Sequence, residues 1–307
     1  MTKYQIREHT PFEEDYLASF NRVARTDLPA DMLYRYFRAD AGVLRMPDDD
    51  PFFITYSKNT VLRALRGGYE PVLLIMNNDS SFMDITEAVR AAYPDLPVCI
   101  IDEEREPVSG YDPHAAKYVF FRFGPSVLFR KKPLRSLPDI LQTSKKVVVF
   151  RGFDSSLEDM YALGYQVRSA AAFFADAVIY QGSTIDPYSR ILIRGSTGNN
   201  LLVPFTVCED DRTLMRILTE RSFTVVLASS ARAEGAVPLN ETGSSRTRLA
   251  VILDRGIQKG QRDDVDLPCA HRVYIPGGDA SGVSPCAASI ILYSLFSGEW
   301  QNQNVRF

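Results

Sequence analysis

The stretch that decides the fold reads LAVILDRGIQKGQ over residues 249–261 and, after a polar spacer, HRVYIPGGDASGVSPCAASIILYSLF over residues 271–296. The apolar, β-branched run at 249–253 predicts a strand that is buried on both faces. A loop with two glycines is predicted over 254–260, and a second strand over 272–275 leads into a Pro-Gly loop. These loops place free backbone amides around one crevice, which is typical of ligand sites in parallel α/β sheets.

A helix is predicted directly after this crevice, over residues 285–296. Ser284 can cap it, and Pro285 suits its first position because an N–H has no helical partner there. Apolar residues then follow as far as Leu295. The helix completes the order strand, loop, strand, loop, helix.

The chain divides by pattern into four parts. These are an N-terminal helical extension over 1–50, a small α/β domain over 51–130, a linker over 131–145 and a larger α/β domain over 146–307. Strands alternate with helices in both domains, so each is expected to hold a parallel sheet with right-handed crossovers.

In the small domain the predicted elements are strand 52–55, helix 57–66 capped by Ser57, strand 72–76, helix 82–93 and strand 98–101. In the larger domain, predicted strands 146–150, 177–180, 201–205, 224–228, 248–253 and 272–275 accompany helices 161–174, 188–194, 211–221 and 285–296.

Four further segments carry a family resemblance. Residues 162–170 read ALGYQVRSA, which is similar to a motif Asn-x-Gly-x-x-x-Arg-[ST]-Ala. A second conserved segment is similar to Asp186-Pro187, followed by RGSTG at 194–198 and by Val203-Pro204. Together with the order of 249–296, they resemble the SPOUT class, specifically the TrmH (SpoU) family of RNA ribose 2′-O-methyltransferases. The resemblance implies a C-terminal α/β domain with a deep trefoil knot, preceded by a small α/β domain that binds the RNA substrate. It also implies S-adenosylmethionine as cofactor, rRNA or tRNA as substrate, and a homodimer formed through the knotted domain.

The same resemblance implies site residues. Arg168 matches the arginine of the first motif, and Ser284 matches the serine of the third, so both are catalytic candidates. The implied cofactor contacts are Leu253, Asp254, Gly256, Gly260, Ile275, Pro276 and Pro285. The implied RNA contacts are Arg122, Arg130, Lys131, Lys132 and Arg194.

The sequence departs from the family pattern at polar positions. Ala162 stands where the first motif has Asn, and Asp254 and Gly256 stand where the second motif has Gly and Glu. The Asn of the third motif is replaced by Cys286, or by Val283 if that motif starts at Ser281 and not at Ser284. The Asp254 side chain could obstruct the ligand or accept hydrogen bonds from hydroxyls of the cofactor.

These departures leave more than one function open. The protein is expected to be an active methyltransferase or, alternatively, a catalytically silent relative that binds RNA or a protein partner. A third interpretation is a generic α/β nucleotide-binding enzyme that uses Asp254 on a ribose.

Composition does not by itself indicate a nucleic-acid-binding protein. The chain has 307 residues, 45% of them hydrophobic, a formal net charge of −3 and a sequence pI of about 5.7. Residues 115–150, however, hold eight Lys and Arg residues and only one acid, Asp139. This basic stretch suits phosphate contact, and a solvated linker face is an equal alternative.

Metal sites and membrane segments are not expected. The four cysteines are widely spaced, with no Cys-x-x-Cys pair, and there are three histidines. The aspartates at 48–50 lie between two prolines and indicate a solvated turn.

No apolar run approaches the roughly 20 residues of a membrane span. Residues 1–14 are charged and lack the apolar core of a signal peptide, so we expect a cytoplasmic protein.

Overall fold

The structure is a computed structural model that describes residues 51–77, 83–101, 126–182, 184–229, 233–242, 247–258, 267, 270–276 and 285–296. The described residues form two compact units, the first ending at Lys131 and the second starting at Lys132. The N-terminal extension predicted over 1–50 lies outside the described residues.

The first unit contains a four-stranded sheet with the strand order β1-β4-β2-β3. Its elements are β1 (Phe52–Tyr56), α1 (Lys58–Arg66), β2 (Pro71–Asn77), α2 (Met83–Ala92), β3 (Val98–Ile101) and β4 (Ser126–Arg130). The predicted strands β1 to β3 and both helices are confirmed within two residues at each end. The expectation of an all-parallel sheet is wrong, because β4 pairs antiparallel with both β1 and β2. Strand β4 was not predicted, although its centre, 127–129, is completely buried.

Ser57 precedes α1, as predicted, but does not cap it in the expected way. Its side chain accepts no hydrogen bond from the helix backbone, and its φ of 80° lies in a region that L side chains rarely adopt. The Ser57 hydroxyl instead lies 3.2 Å from that of Thr60. The first turn of α1 is therefore joined to Ser57 through two side chains.

The second unit contains a seven-stranded sheet with the strand order β7-β6-β5-β10-β8-β11-β9. All of its neighbouring strands pair in parallel, which confirms the predicted parallel sheet. The strands are β5 (Lys146–Arg151), β6 (Ala177–Gln181), β7 (Phe205–Cys208), β8 (Thr224–Ala228), β9 (Val237–Pro238), β10 (Leu249–Asp254) and β11 (Ala270–Tyr274). The α-helices are α3 (Leu137–Thr143), α4 (Leu157–Ala172), α5 (Arg190–Gly195), α6 (Asp211–Glu220), α7 (Arg255–Gln258) and α8 (Pro285–Phe296).

Strand β10 is the centre of this sheet. All six of its residues are buried. The apolar run predicted this for 249–253, whereas Asp254 was expected in the following loop. From β5 the chain moves outward to β6 and then β7, and it returns to β8 on the other side; β10 later enters between β5 and β8. The strand order therefore reverses at β10, and ligands of α/β sheets bind outside the carboxyl ends of the strands at such a point.

Four boundaries differ from the predictions because of local caps and turns. Helix α4 was expected from 161 but begins at Leu157, because the Ser156 hydroxyl accepts a hydrogen bond from the backbone N–H of Asp159. In the loop predicted over 254–260, Asp254 instead ends β10, and the next four residues form the helical turn α7. Helix α5 starts at Arg190, after its cap Ser189, and not at 188. The strand predicted over 201–205 starts only at Phe205, after a 3₁₀ turn.

The stretch predicted as a linker, 131–145, contains helix α3. Ser136 caps this helix by accepting a hydrogen bond from the backbone N–H of Asp139, and Pro138 lies in its first turn. Both are helix-start signals that the sequence contains. The segment from 132 onward belongs to the second unit.

No helix within the described residues is both long enough and apolar enough to cross a membrane. Much of the chain between α7 and α8 lies outside the described residues. The trefoil knot implied by the family resemblance therefore stays a prediction.

Candidate functional site

The predicted cofactor contacts gather at the carboxyl ends of β10 and β11. Leu253 and Asp254 end β10, and Ile275 and Pro276 directly follow β11. Strand β8 lies between these two strands, with Ala228 beside both Leu253 and Val273 in the register. The crevice predicted from the sequence would therefore be bounded by three strand ends, of which the sequence analysis identified two. Gly260 and Ser284 lie outside the described residues.

Ser229, the residue after β8, was missed by the sequence analysis. It is only 2% exposed, and its backbone N–H donates to the carbonyl of Val273 at 2.8 Å. Its hydroxyl has no hydrogen-bond partner among the described residues. A buried polar group left without a partner costs about 1–3 kcal/mol, so the hydroxyl is a candidate partner for a polar ligand group at this strand end. A serine directly after a buried apolar strand was the available signal.

The Asp254 carboxylate is bonded on the β5 side of β10, opposite the side where β8 and Ser229 lie. One oxygen lies 2.5 Å from Nη1 of Arg151 on β5, and the other accepts a hydrogen bond from the backbone N–H of Ile257 at 3.2 Å. Its side chain is fully buried. Asp254 thus pairs β10 with β5 and caps the turn α7, so its carboxylate is already bonded within the protein.

Arg151 extends this network to a third element. Its Nη2 lies 2.6 Å from the carboxylate of Asp211, the first residue of α6. Burial opposes the charge, yet the hydrogen bonds to Asp211 and Asp254 raise the pKa of the Arg151 guanidinium above its ordinary value. Arg151 is therefore a fixed cation that joins β5, β10 and α6.

A second ion pair joins α7 to the start of α4. The Arg255 guanidinium donates to Asp159 at 2.9 Å and to Glu158 at 2.8 Å, and it lies over the ring of Phe153. Arg255 and Asp159 are buried, whereas Glu158 is exposed. The predicted cofactor contact Gly256 follows Arg255 directly, so this pair holds its backbone in place.

Arg168, the predicted catalytic residue, is exposed on α4. It makes no hydrogen bond or ion pair with any residue that the structure describes. The next residue, Ser169, lies with its hydroxyl 2.7 Å from that of Ser289 on α8. The structure thus brings the helix of the first motif against the helix of the third, with Cys286 exposed at the start of α8.

The predicted RNA contacts are divided between the two units. Arg130 and Lys131 belong to the first unit, where Arg130 pairs with Glu70 at 2.9 Å. Lys132 and Arg194 belong to the second unit. Arg122 lies outside the described residues. The described residues contain no cluster of three or more side chains suited to a metal ion.

Replacing Arg255 by Met is expected to lower the free energy of unfolding by about 3–5 kcal/mol, because it leaves the buried Asp159 carboxylate without its partner. Urea denaturation measures this loss. The matched control is Arg216→Met on α6, where an exposed pair with Glu220 is expected to contribute at most about 0.5 kcal/mol. Equal, small losses for both variants would contradict the assigned role of Arg255.

Known proteins similar in sequence are few and cover part of the chain. No family profile matches the sequence. Uncharacterised tRNA/rRNA methyltransferases of Mycobacterium bovis and Mycobacterium tuberculosis are 27% identical over 140 residues, which is 45% of this chain and 47% of each relative. The chain thus spans about half the length of the curated relatives it matches.

Solved structures are similar over most of the chain. The SpoU methyltransferase AviRb from Streptomyces viridochromogenes, solved in complex with AdoMet, has a TM-score of 0.66 and 17% identity, covering 89% of this chain and 100% of its own. An AdoMet-bound rRNA methyltransferase from Sinorhizobium meliloti has a TM-score of 0.62 and 16% identity over 96% of both chains. An RNA 2′-O ribose methyltransferase has a TM-score of 0.58 and 21% identity, covering 81% of this chain and 89% of its own. The resemblance predicted from the sequence is confirmed at the level of architecture: this chain has the fold of the SpoU RNA methyltransferases.

Proposed function

We propose that this protein is a SpoU-type RNA methyltransferase that uses S-adenosylmethionine to methylate a ribose 2′-hydroxyl of rRNA or tRNA. The observation that carries the proposal is the meeting of the ends of β8, β10 and β11, where the buried hydroxyl of Ser229 has no hydrogen-bond partner among the described residues. Similar folds are solved with AdoMet. The mycobacterial relatives are named as tRNA/rRNA methyltransferases.

The residues at the crevice fit this cofactor. Ile275 and Pro276, which are at least partly exposed, would supply apolar walls, and the strand ends would supply backbone polar groups. The Ser229 hydroxyl can exchange hydrogen bonds with polar groups of the cofactor. The Asp254 carboxylate is turned toward β5 and so does not compete for this side of β10. S-adenosylmethionine would supply a methyl group activated by its sulfonium.

Arg168 would act on the RNA. A guanidinium keeps its charge and can hold a phosphate next to the reacting ribose, or stabilise the oxygen as its proton leaves. Its helix packs on α8 through Ser169 and Ser289, and α8 follows the Ile275-Pro276 wall in the chain. The packing of these two helices thus supports a place for Arg168 near the crevice.

The variant Arg168→Ala is expected to lose at least about 100-fold in methyl transfer, as when one donor to a developing oxyanion is removed. The measurement is transfer of labelled methyl groups from S-adenosylmethionine to unmodified rRNA and tRNA transcripts, followed by alkaline hydrolysis, which leaves 2′-O-methylated linkages intact. Arg216→Ala is the control because it removes another exposed arginine, on α6. Undiminished turnover in Arg168→Ala would remove Arg168 from the mechanism.

A catalytically silent relative is the second candidate. Three positions where the family carries polar side chains hold Ala162, Gly256 and Cys286 (or Val283), and the buried side chain of Ala162 can make no hydrogen bond. A wild-type chain that binds RNA but transfers no methyl group to any transcript would favour this candidate.

We also propose a homodimer that forms through α4 and α8. The two helices contact each other through Ser169 and Ser289 and through an edge-to-face pair of Phe173 and Tyr293 at 5.9 Å. Large apolar side chains are nevertheless exposed on or beside them, namely Tyr165, Phe174, Ile290 and Tyr293, each at least 49%. A shared apolar face of this kind indicates contact with another chain, and a second copy would cover it symmetrically.

Light scattering at micromolar concentration is expected to give the mass of a dimer for the wild type and of a monomer for Tyr293→Lys, because a charge on the proposed contact face would be desolvated on pairing. The control is Leu202→Lys, an exposed apolar residue outside both helices. A monomeric wild type would exclude the dimer.

A further inference from the structure

Arg151 and Asp254 are paired at the ends of two neighbouring strands. Each is the last residue of its strand, and the two lie opposite each other in the parallel register of β5 and β10. One carboxylate oxygen of Asp254 lies 2.5 Å from Nη1 of Arg151. The family pattern has a glycine at the position of Asp254, so this chain holds a buried carboxylate where that pattern has no side chain.

The Arg151 guanidinium is oriented by a second carboxylate, on another element. Its Nε lies 3.2 Å from Oδ1 of Asp211 on α6, and its Nη2 lies 2.6 Å from Oδ2. A two-point contact of this kind fixes the plane of a guanidinium. The direction from which Nη1 reaches Asp254 is therefore set by α6.

The Asp254 carboxylate in turn sets the backbone of the turn α7. Its second oxygen accepts a hydrogen bond from the backbone N–H of Ile257 at 3.2 Å. The same turn contains Gly256, a predicted cofactor contact. A movement of this carboxylate would thus move the backbone beside the predicted cofactor site.

The charge of Asp254 makes its direction important. A buried carboxylate that loses its cation must find another donor or admit water. S-adenosylmethionine carries a positive sulfonium, and its proposed place is on the β8 side of β10. A released carboxylate would be attracted toward that charge and away from the turn. The side of β10 on which the carboxylate lies therefore matters for cofactor binding.

We propose that Arg151 is a positioning residue for the cofactor site: it holds the Asp254 carboxylate on the β5 side of β10, which sets the turn α7 and leaves the β8 side to the cofactor. This inference rests on the proposed function. It accounts for an aspartate at a position where the family pattern has glycine. In this role Arg151 touches neither the cofactor nor the reacting atoms, so it acts on affinity and not on the methyl-transfer step.

The test is a double-mutant cycle on Arg151 and Asp254 in the full chain, with affinity for S-adenosylmethionine measured by calorimetric titration. Arg151→Met is expected to weaken binding at least about 10-fold, as when the competent form of the turn falls to about a tenth of the molecules. Adding Asp254→Asn to it is expected to restore the affinity to within about twofold of the wild type. The asparagine is neutral, and its oxygen can still accept from Ile257.

A second substitution and a kinetic measurement separate positioning from a merely structural role. Arg151→Lys keeps the charge and is expected to fold, yet one ammonium cannot hold both carboxylates in the same geometry, so binding should weaken at least about threefold. In methyl transfer, KM for S-adenosylmethionine should rise in both single variants while kcat changes less than about twofold. The control Arg216→Met, on the exposed face of α6, should bind like the wild type.

The outcomes separate this inference from the proposed function. Wild-type affinity in every single Arg151 variant that folds overturns the positioning role and leaves the methyltransferase proposal intact. Tighter binding by these variants also overturns it, because the released carboxylate would then be a cofactor contact. A folded double variant that binds at least about 10-fold more weakly than the wild type would show that Arg151 itself contacts the cofactor. A wild type that does not bind S-adenosylmethionine contradicts both proposals.

Discussion

The parallel pairing of β10 with β5 on one side and β8 on the other is the constraint on which the second unit depends. It places a completely buried six-residue strand at the point where the strand order reverses. The ends of β5, β8 and β10 then meet at one edge of the sheet, and β11 adds a fourth end through its pairing with β8. A chain with these apolar runs but another strand order would not bring the same residues together.

Charged groups at this edge hold the strand ends in fixed positions, which non-directional apolar packing does not do. The last residues of β5 and β10 form the Arg151–Asp254 pair, and the next residue, Arg255, reaches back to Asp159 at the start of α4. Buried charges are costly unless they are paired and hydrogen-bonded, so both pairs fix the geometry of the strand ends more than they add stability. On the β8 side, Ser229 carries a buried polar group with no partner among the described residues. At this edge of the sheet, the polar groups on the β5 side of β10 are thus bonded to one another, whereas the β8 side is suited to a ligand.

Much of the fold could be predicted because it follows from local pattern. The bounds of β3, β8 and α8 agree with the sequence predictions, since each begins or ends at a clear change between apolar residues and turn or cap residues. The antiparallel pairing of strand β4 could not be predicted in this way, because an apolar run indicates neither the direction of a strand nor its neighbours. The ion pairs Arg151–Asp254 and Arg255–Asp159 and the Gly164–Gly195 contact join residues at least 31 positions apart and exist only once the sheet is assembled. Arg168 was found only through family resemblance, because an exposed arginine on a helix has no distinguishing local pattern.

The central claim is that the crevice at the ends of β8, β10 and β11 binds S-adenosylmethionine. Calorimetric titration of the purified chain with S-adenosylmethionine, with S-adenosylhomocysteine in parallel, tests it most directly. The account predicts a saturable isotherm with micromolar affinity and one site per chain, accompanied by a rise in the thermal unfolding midpoint. No heat of binding up to millimolar ligand, together with an unchanged unfolding midpoint, would contradict it.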